Sequence, residues 1–163
     1  MSALSDERIS GVVFPIIPKL AERIVKRKNV IFVKYVSRVP KKPSNYRLEP
    51  GMRIYFYVSG SHRKLAGQGI VRSVEFLPYK EVLVKYGNLL LLTSNELSRY
   101  SRMQPNRLSK PMLVLGLGEI RRYPDGVVYH RNVTMAGEYV RADDYARIES
   151  MVGSAFTAAV AER

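Results

Sequence analysis

Apolar residues fall in short runs whose spacing switches between the period of a strand and that of a helix. Gly11-Val12-Val13-Phe14-Pro15 is an apolar run closed by proline, which predicts a first strand. Pro18 then sits where a helix begins, and Leu20, Ile24 and Val25 share one helical face while Lys19, Arg23, Lys26 and Arg27 lie elsewhere on the wheel. Val30 to Val36 is β-branched and aromatic, a second strand buried on at least one face. Arg38 to Gly51 carries three prolines, many cations and no periodicity, so it reads as a loop ending in a Glu49-Pro50-Gly51 turn. Arg53 to Ser59 alternates as a third strand, Gly60 to Gly69 reads as a hairpin connection, and Ile70 to Phe76 as a fourth strand.

The second half follows the same logic. Tyr79 to Tyr86 predicts a short helix stopped by Gly87, with Leu89 to Leu92 as an apolar strand or turn. Thr93-Ser94-Asn95-Glu96 supplies capping residues for a helix running to about Met103. Pro111 to Ile120 predicts a buried strand, Pro124-Asp125-Gly126 a turn, and Val127 to Tyr129 a further strand. Gly137 breaks the chain before Tyr139-Val140. Asp143-Asp144 starts a terminal helix with Tyr145, Ile148 and Val152 at helical spacing, and Gly153 interrupts it before Ser154 recaps a last turn. The resulting expectation is an α+β domain. Its strands form a small mixed or antiparallel β-barrel with two or three short helices and a C-terminal helix. Residues 1–142 would form the barrel domain. Residues 143–163 would be a helical tail packing on that barrel or on a second subunit, a route to a homodimer.

Composition narrows the chemistry. The 163 residues include no cysteine and two histidines, His62 and His130. That removes disulfides, thiolate metal sites and a cysteine nucleophile, and leaves no expectation of a metal or cofactor. No apolar run approaches the length of a membrane span, and the first ten residues lack the order of a signal peptide, so a cytoplasmic protein is expected.

Charge changes the picture most. The net charge is +13, and residues 19–64 alone hold 13 basic and two acidic side chains. Residues 123–163 are net −2. A basic face on one half of a single domain is the footprint of a polyanion binder. Seventeen of the 27 cations are arginine, whose planar fork suits phosphate and stacks on bases.

Two short glycine motifs, Gly67-Gln68-Gly69 and Gly116-Leu117-Gly118, complete no dinucleotide fingerprint and read as bulges or close strand approaches. No phosphate-binding loop motif is present. Nothing in the spacing places Ser59, Ser61 or His62 beside a carboxylate. Tyr35, Tyr55, Phe56 and Tyr57 are interleaved with Lys34 and Arg53, a pattern in which aromatic faces stack bases and cations hold phosphates. Alternation sends Ile54 and Phe56 to one face and Tyr55 and Tyr57 to the other. If the first pair is core, the second faces a groove or solvent.

The order GVVFP, IIPKLAERIVKR, VIFVKYV, LEPGMRIYFYVS and GQGIVRSVEF resembles the PUA-like superfamily, which includes PUA, ASCH and EVE domains, and within it an uncharacterised archaeal branch. Leu48 to Ser59 is similar to that superfamily's proline-glycine-then-strand signature, and Gly69 to Phe76 to the strand that pairs with it. The resemblance implies RNA or modified-nucleotide binding at a cleft beside the barrel. Some ASCH relatives are hydrolases with a GxKxxExR motif. Here Lys26-Arg27-Lys28-Asn29-Val30 lacks its glycine and glutamate, so no catalytic residue is assigned. Lys34, Tyr57, Ser59, Arg72 and Lys110 are expected at the cleft. The wider nucleic-acid-binding set adds Tyr35, Lys41, Lys42, Arg53, His62, Arg63, Lys64, Arg121 and Arg122. The alternative is an ASCH-like hydrolase of modified nucleosides or RNA, with Glu75 or Glu119 as its carboxylate.

Overall fold

A computed structural model describes residues 9–36, 46–60, 63–106 and 109–161, with side chains to 154. The first strand, β1 (Ile9–Ile16), gives way at Ile17 because Pro18 opens helix α1 (Pro18–Ile24) with its fixed φ. Strand β2 (Val30–Lys34) follows, then β3 (Arg53–Val58) and β4 (Lys64–Leu77). Helix α2 (Tyr79–Tyr86) ends at Gly87, which takes φ of 46°, and a single 3-10 turn covers Gly87–Leu89. Helix α3 (Ser94–Arg102) carries the predicted cap at Thr93, closed as a capping box with Glu96. Strand β5 (Met112–Val128), strand β6 (Glu138–Arg141) and helix α4 (Ala142–Ala161) complete the chain.

The six strands form one mixed sheet in the order β2-β5-β4-β3-β1-β6, with β1 parallel to β3 and the other pairs antiparallel. Among the described residues no backbone ladder joins β2 to the far edge, so the expected closed barrel is not formed by strand pairing. β1 pairs with β3 over Gly11–Ile16 and with β6 only over Ile9–Val13, and among the described residues no strand is laddered to its second edge beyond Val13. Side chains bridge the gap instead, with the Phe14 and Phe32 rings stacked at 5.9 Å.

Three apolar clusters use both faces of this sheet. Val12, Phe14, Ile54, Phe56, Leu113 and Leu115 fill the inner face, which α1 caps through Ile24. On the outer face, α4 covers Val13, Tyr55, Tyr57, Tyr123 and Tyr129 with Ile148 and Val152. Helices α2 and α3 cover Ile31, Val33, Met112 and Val114 with Val82 and Leu97. A strand covered on both faces needs no polar alternation, which is why residues 112–117 read as a continuous apolar run.

Three local expectations are revised. Most of the 60–69 connection is already strand, since β4 begins at Lys64. Pro124-Asp125-Gly126 does not reverse the chain. Asp125 and Gly126 take φ of 59° and 74°, and residues 123–126 form a bulge opposite Ala66 in one long β5. Gly153 does not interrupt α4. A helical glycine costs about 1 kcal/mol relative to alanine, less than the burial of Ile148 and Val152 returns.

Candidate nucleic-acid cleft

The gap between β1 and β2 is a cleft of about 450 Å³. Its walls come from Val12 and Phe14 of β1, Lys34 and Tyr35 at the end of β2, Tyr46, and the Met135–Tyr139 segment. Lys34 and Glu138 are the charged groups that line it. The Lys34 ammonium donates to the Met135 carbonyl at 2.7 Å and sits 5.2 Å from the centre of the Phe14 ring. Burial lowers its pKa, because the charged form loses hydration. Desolvation also raises the Tyr46 pKa, reinforced by the Tyr139 hydroxyl to which it is hydrogen-bonded. Tyr46 stacks edge-on against Phe76 at 5.3 Å. The Arg47 guanidinium lies 5.3 Å over the Tyr139 ring, and Met135 is exposed at the rim.

Why the wall from 130 to 139 holds its shape is clear from its contacts. Gly137 adopts φ of 81° and lies flat on Phe14, where a Cβ would collide with the ring. Its amide closes a turn onto the Thr134 carbonyl at 2.9 Å. From outside, Asp144 in the first turn of α4 meets His130 at 3.1 Å and Arg131 at 2.6 Å, and Arg131 also contacts Glu138.

The structure divides the sequence candidates. It brings Lys34 into the cleft. Tyr35 borders the cleft too, but its ring is buried against Tyr100 of α3 at 5.0 Å, and Lys110 lies over that ring rather than in the cleft. The Lys110 ammonium is 5.5 Å from the centre of the Tyr35 ring and bonds Gln104 at 2.9 Å. Tyr57 is elsewhere. It is buried beneath α4, its hydroxyl 3.4 Å from Asn132, because β3 is covered on both faces and its second face meets a core rather than a groove. Arg53 is on that side too, paired with Glu149 at 2.5 Å. Ser59 ends β3 with its amide on the Ile16 carbonyl. Arg63 and Lys64 are exposed at the start of β4, Arg121 and Arg122 on β5, and Arg72 on the outer face of β4. Lys41, Lys42 and His62 lie outside the described residues. Of the proposed carboxylates, Glu75 pairs with Lys85 and Tyr86, and Glu119 with Arg72, both away from the cleft.

Sequence reasoning missed Phe14, Tyr46, Arg47, Glu138 and Tyr139. The signal was present only in part. Gly137 between two polar-aromatic stretches marks a close backbone approach, but nothing local says that its partner is Phe14, 123 positions earlier. Among the described residues, no group of three or more metal-ligating side chains occurs, and no helix is long and apolar enough to cross a membrane.

Comparison with known proteins fits this architecture. The model of a family described as a domain of unknown function, DUF365, matches residues 9–142. The chain belongs to the DUF365 family. The uncharacterised protein MJECS03 from Methanocaldococcus jannaschii is 34% identical over 105 residues, covering 60% of this chain and 96% of that protein. The fold is similar to that of ASCH from Zymomonas mobilis, with a TM-score of 0.69 at 13% identity over 87% of this chain and 95% of that one. A single-substitution mutant of the same protein gives 0.67 at 13% identity over 87% and 98%. The chain therefore shares the fold of that ASCH protein.

Proposed function

We propose that this DUF365 protein binds RNA, taking an unstacked base into the cleft between β1 and β2. In this reading the wrapped sheet is an open version of the PUA-like barrel. The observation that carries the proposal is the cleft's composition: aromatic and apolar walls around one half-buried ammonium, Lys34, with Glu138 paired to Arg131 in the same wall and the Arg47 cation over the Tyr139 ring. A volume of about 450 Å³ lies in the usual range for small-ligand pockets. Aromatic faces take a base by stacking, while an ammonium in a low-dielectric wall selects a carbonyl or ring-nitrogen acceptor on its edge. The net charge of +13 supplies the sequence-independent attraction.

A hydrolytic reading draws on the same lysine. Burial favours its neutral amine, the form that acts as base or nucleophile, and Glu138 supplies a carboxylate to the same wall.

Fluorescence anisotropy tests the binding reading, comparing single-stranded RNA, structured RNA, single-stranded DNA and duplex DNA across a salt series. If about five phosphates are neutralised, log K falls against log salt with a slope of about −3.5 for a single strand. One form should be preferred, and Lys34→Met should remove that preference. A slope near zero with every form would refute binding. Consumption of a nucleoside by the wild type but not by Lys34→Met would establish the hydrolytic reading in its place.

A further inference from the structure

One wall of the cleft is a connection rather than a strand. Residues 129–137 link β5 to β6 and carry the Met135 carbonyl that accepts from Lys34 at 2.7 Å. An irregular segment keeps one shape only where its neighbours tie it down. On the cleft side it rests on Phe14 through Gly137. On the other side it is tied by a residue of α4. Asp144 meets Arg131 at 2.6 Å and His130 at 3.1 Å, using one carboxylate oxygen for each. Arg131 carries the tie onward to Glu138, and its guanidinium lies 5.9 Å over the Tyr129 ring. Asp144 therefore holds both ends of the wall, directly at residues 130 and 131 and through Arg131 at residue 138.

Strength alone does not account for this joint. Both His130 ring nitrogens are buried without an aligned hydrogen bond among the described residues, which costs free energy. An apolar pair would fasten the segment to α4 at least as firmly. What the charged joint adds is a fixed position. Asp143, in the same first turn of α4, is exposed by contrast. We propose that Asp144 is a positioning residue for the cleft: from behind the wall it sets the Met135 carbonyl against Lys34. Helix α4 begins at the last residue of the family match and so takes part in the site from outside the matched domain. The proposal rests on the RNA-binding reading only for its effect on RNA affinity.

Two measurements test it, and the first needs no RNA. In protein carrying isotope-labelled lysine, NMR follows the titration of the Lys34 Nζ, assigned by its loss in Lys34→Met. Burial holds this group below the ordinary lysine value in the wild type. Asp144→Ala should let the wall withdraw, admit water and move the titration up toward the ordinary value. Asp143→Ala removes the same charge from the same helix end and should leave it unmoved. The second measurement is a double-mutant cycle on affinity for fluorescein-labelled single-stranded RNA. Asp144→Ala should lower affinity by about fivefold in the wild type and by less than about twofold in the Lys34→Met background. Circular dichroism checks that each variant is folded. Asp144→Asn, which keeps the shape and loses the charge, takes the place of the alanine variant if that one does not fold. A Lys34 titration unchanged by Asp144→Ala, or moved equally by Asp143→Ala, overturns the proposal. So do affinity losses that simply add. If the wild type binds no RNA while the titration moves as expected, the RNA reading fails and the positioning role stands. If RNA binding needs Lys34 but the titration ignores Asp144, only the positioning role fails.

Discussion

Two tyrosine-rich regions of the molecule differ in one respect. Tyr46 and Tyr139 line the cleft, beside Phe14 and Lys34. Tyr55, Tyr57, Tyr123 and Tyr129 form a sealed cluster on the opposite face of the sheet. In sequence the second set looks the better binding surface, since Arg53 precedes it and the residues alternate on a strand. The difference is a lid. Helix α4 lays Ile148 and Val152 on the second set, and its Glu149 pairs with Arg53 and accepts from Tyr55 at 3.2 Å. Beneath it, Tyr123 donates to Gln68 at 2.6 Å, with both side chains buried. Burial, reinforced by Glu149, raises the Tyr55 pKa. Among the described residues no helix covers the cleft, and its half-buried lysine contacts a backbone carbonyl and a ring face. One region packs its tyrosines beneath a helix and supports the fold. The other holds a half-buried ammonium in a cleft.

This contrast can be broken by mutation. The largest effect should come from the lid: Ile148→Ala should cost about 2–5 kcal/mol by cavity formation. Chemical denaturation reads this directly, and a loss below about 1 kcal/mol would mean that α4 does not seal a core. Next is Gly137→Ala, which forces a Cβ into Phe14 at a positive φ. It should destabilise by about 1–3 kcal/mol and narrow the cleft, so RNA affinity and melting temperature should fall together. Lys34→Met should separate the two properties. RNA affinity should drop by about tenfold or more, while stability holds or rises because a half-buried charge is gone.

A smaller effect concerns pH. The Arg23 guanidinium, bonded at 2.5 Å, holds the Glu96 carboxyl at about 2, far below its ordinary value of 4.5. The folded state therefore binds this proton less readily than the unfolded chain. The stabilisation is complete above about pH 5 and is lost as pH falls toward 2. Denaturation midpoints of Glu96→Gln should show less acid sensitivity across that window than wild type. The smallest effect should be Tyr57→Phe. Its hydroxyl makes one long contact, so RNA affinity should change by less than about twofold. A larger loss would mean that the sealed cluster does meet RNA.

The elements were largely legible because their signals are local. Pro18, Thr93 with Glu96, and Gly87 mark helix ends by backbone and capping chemistry alone. The long β5 was not, since a Pro-Asp-Gly bulge and a Pro-Asp-Gly turn share the same residues and only the partner strand distinguishes them. The site was legible in part. Lys34 and Tyr35 stood out as a cation beside an aromatic residue; Lys34 lines the cleft, while the Tyr35 ring packs against Tyr100 under α3. Tyr57 carried the same signal and lies under a helix that begins 85 residues later.

What the sequence determined by itself is therefore the set of elements, the α+β character and the strongly basic balance of the chain, all properties of neighbouring residues or of simple sums. What only the tertiary structure decided is which aromatic faces are open. That depended on β1 and β2 forming no ladder with each other, which leaves a gap between them, and on α4 covering one tyrosine cluster. Exposure is set by what packs on a face from far along the chain, and no local pattern carries that information.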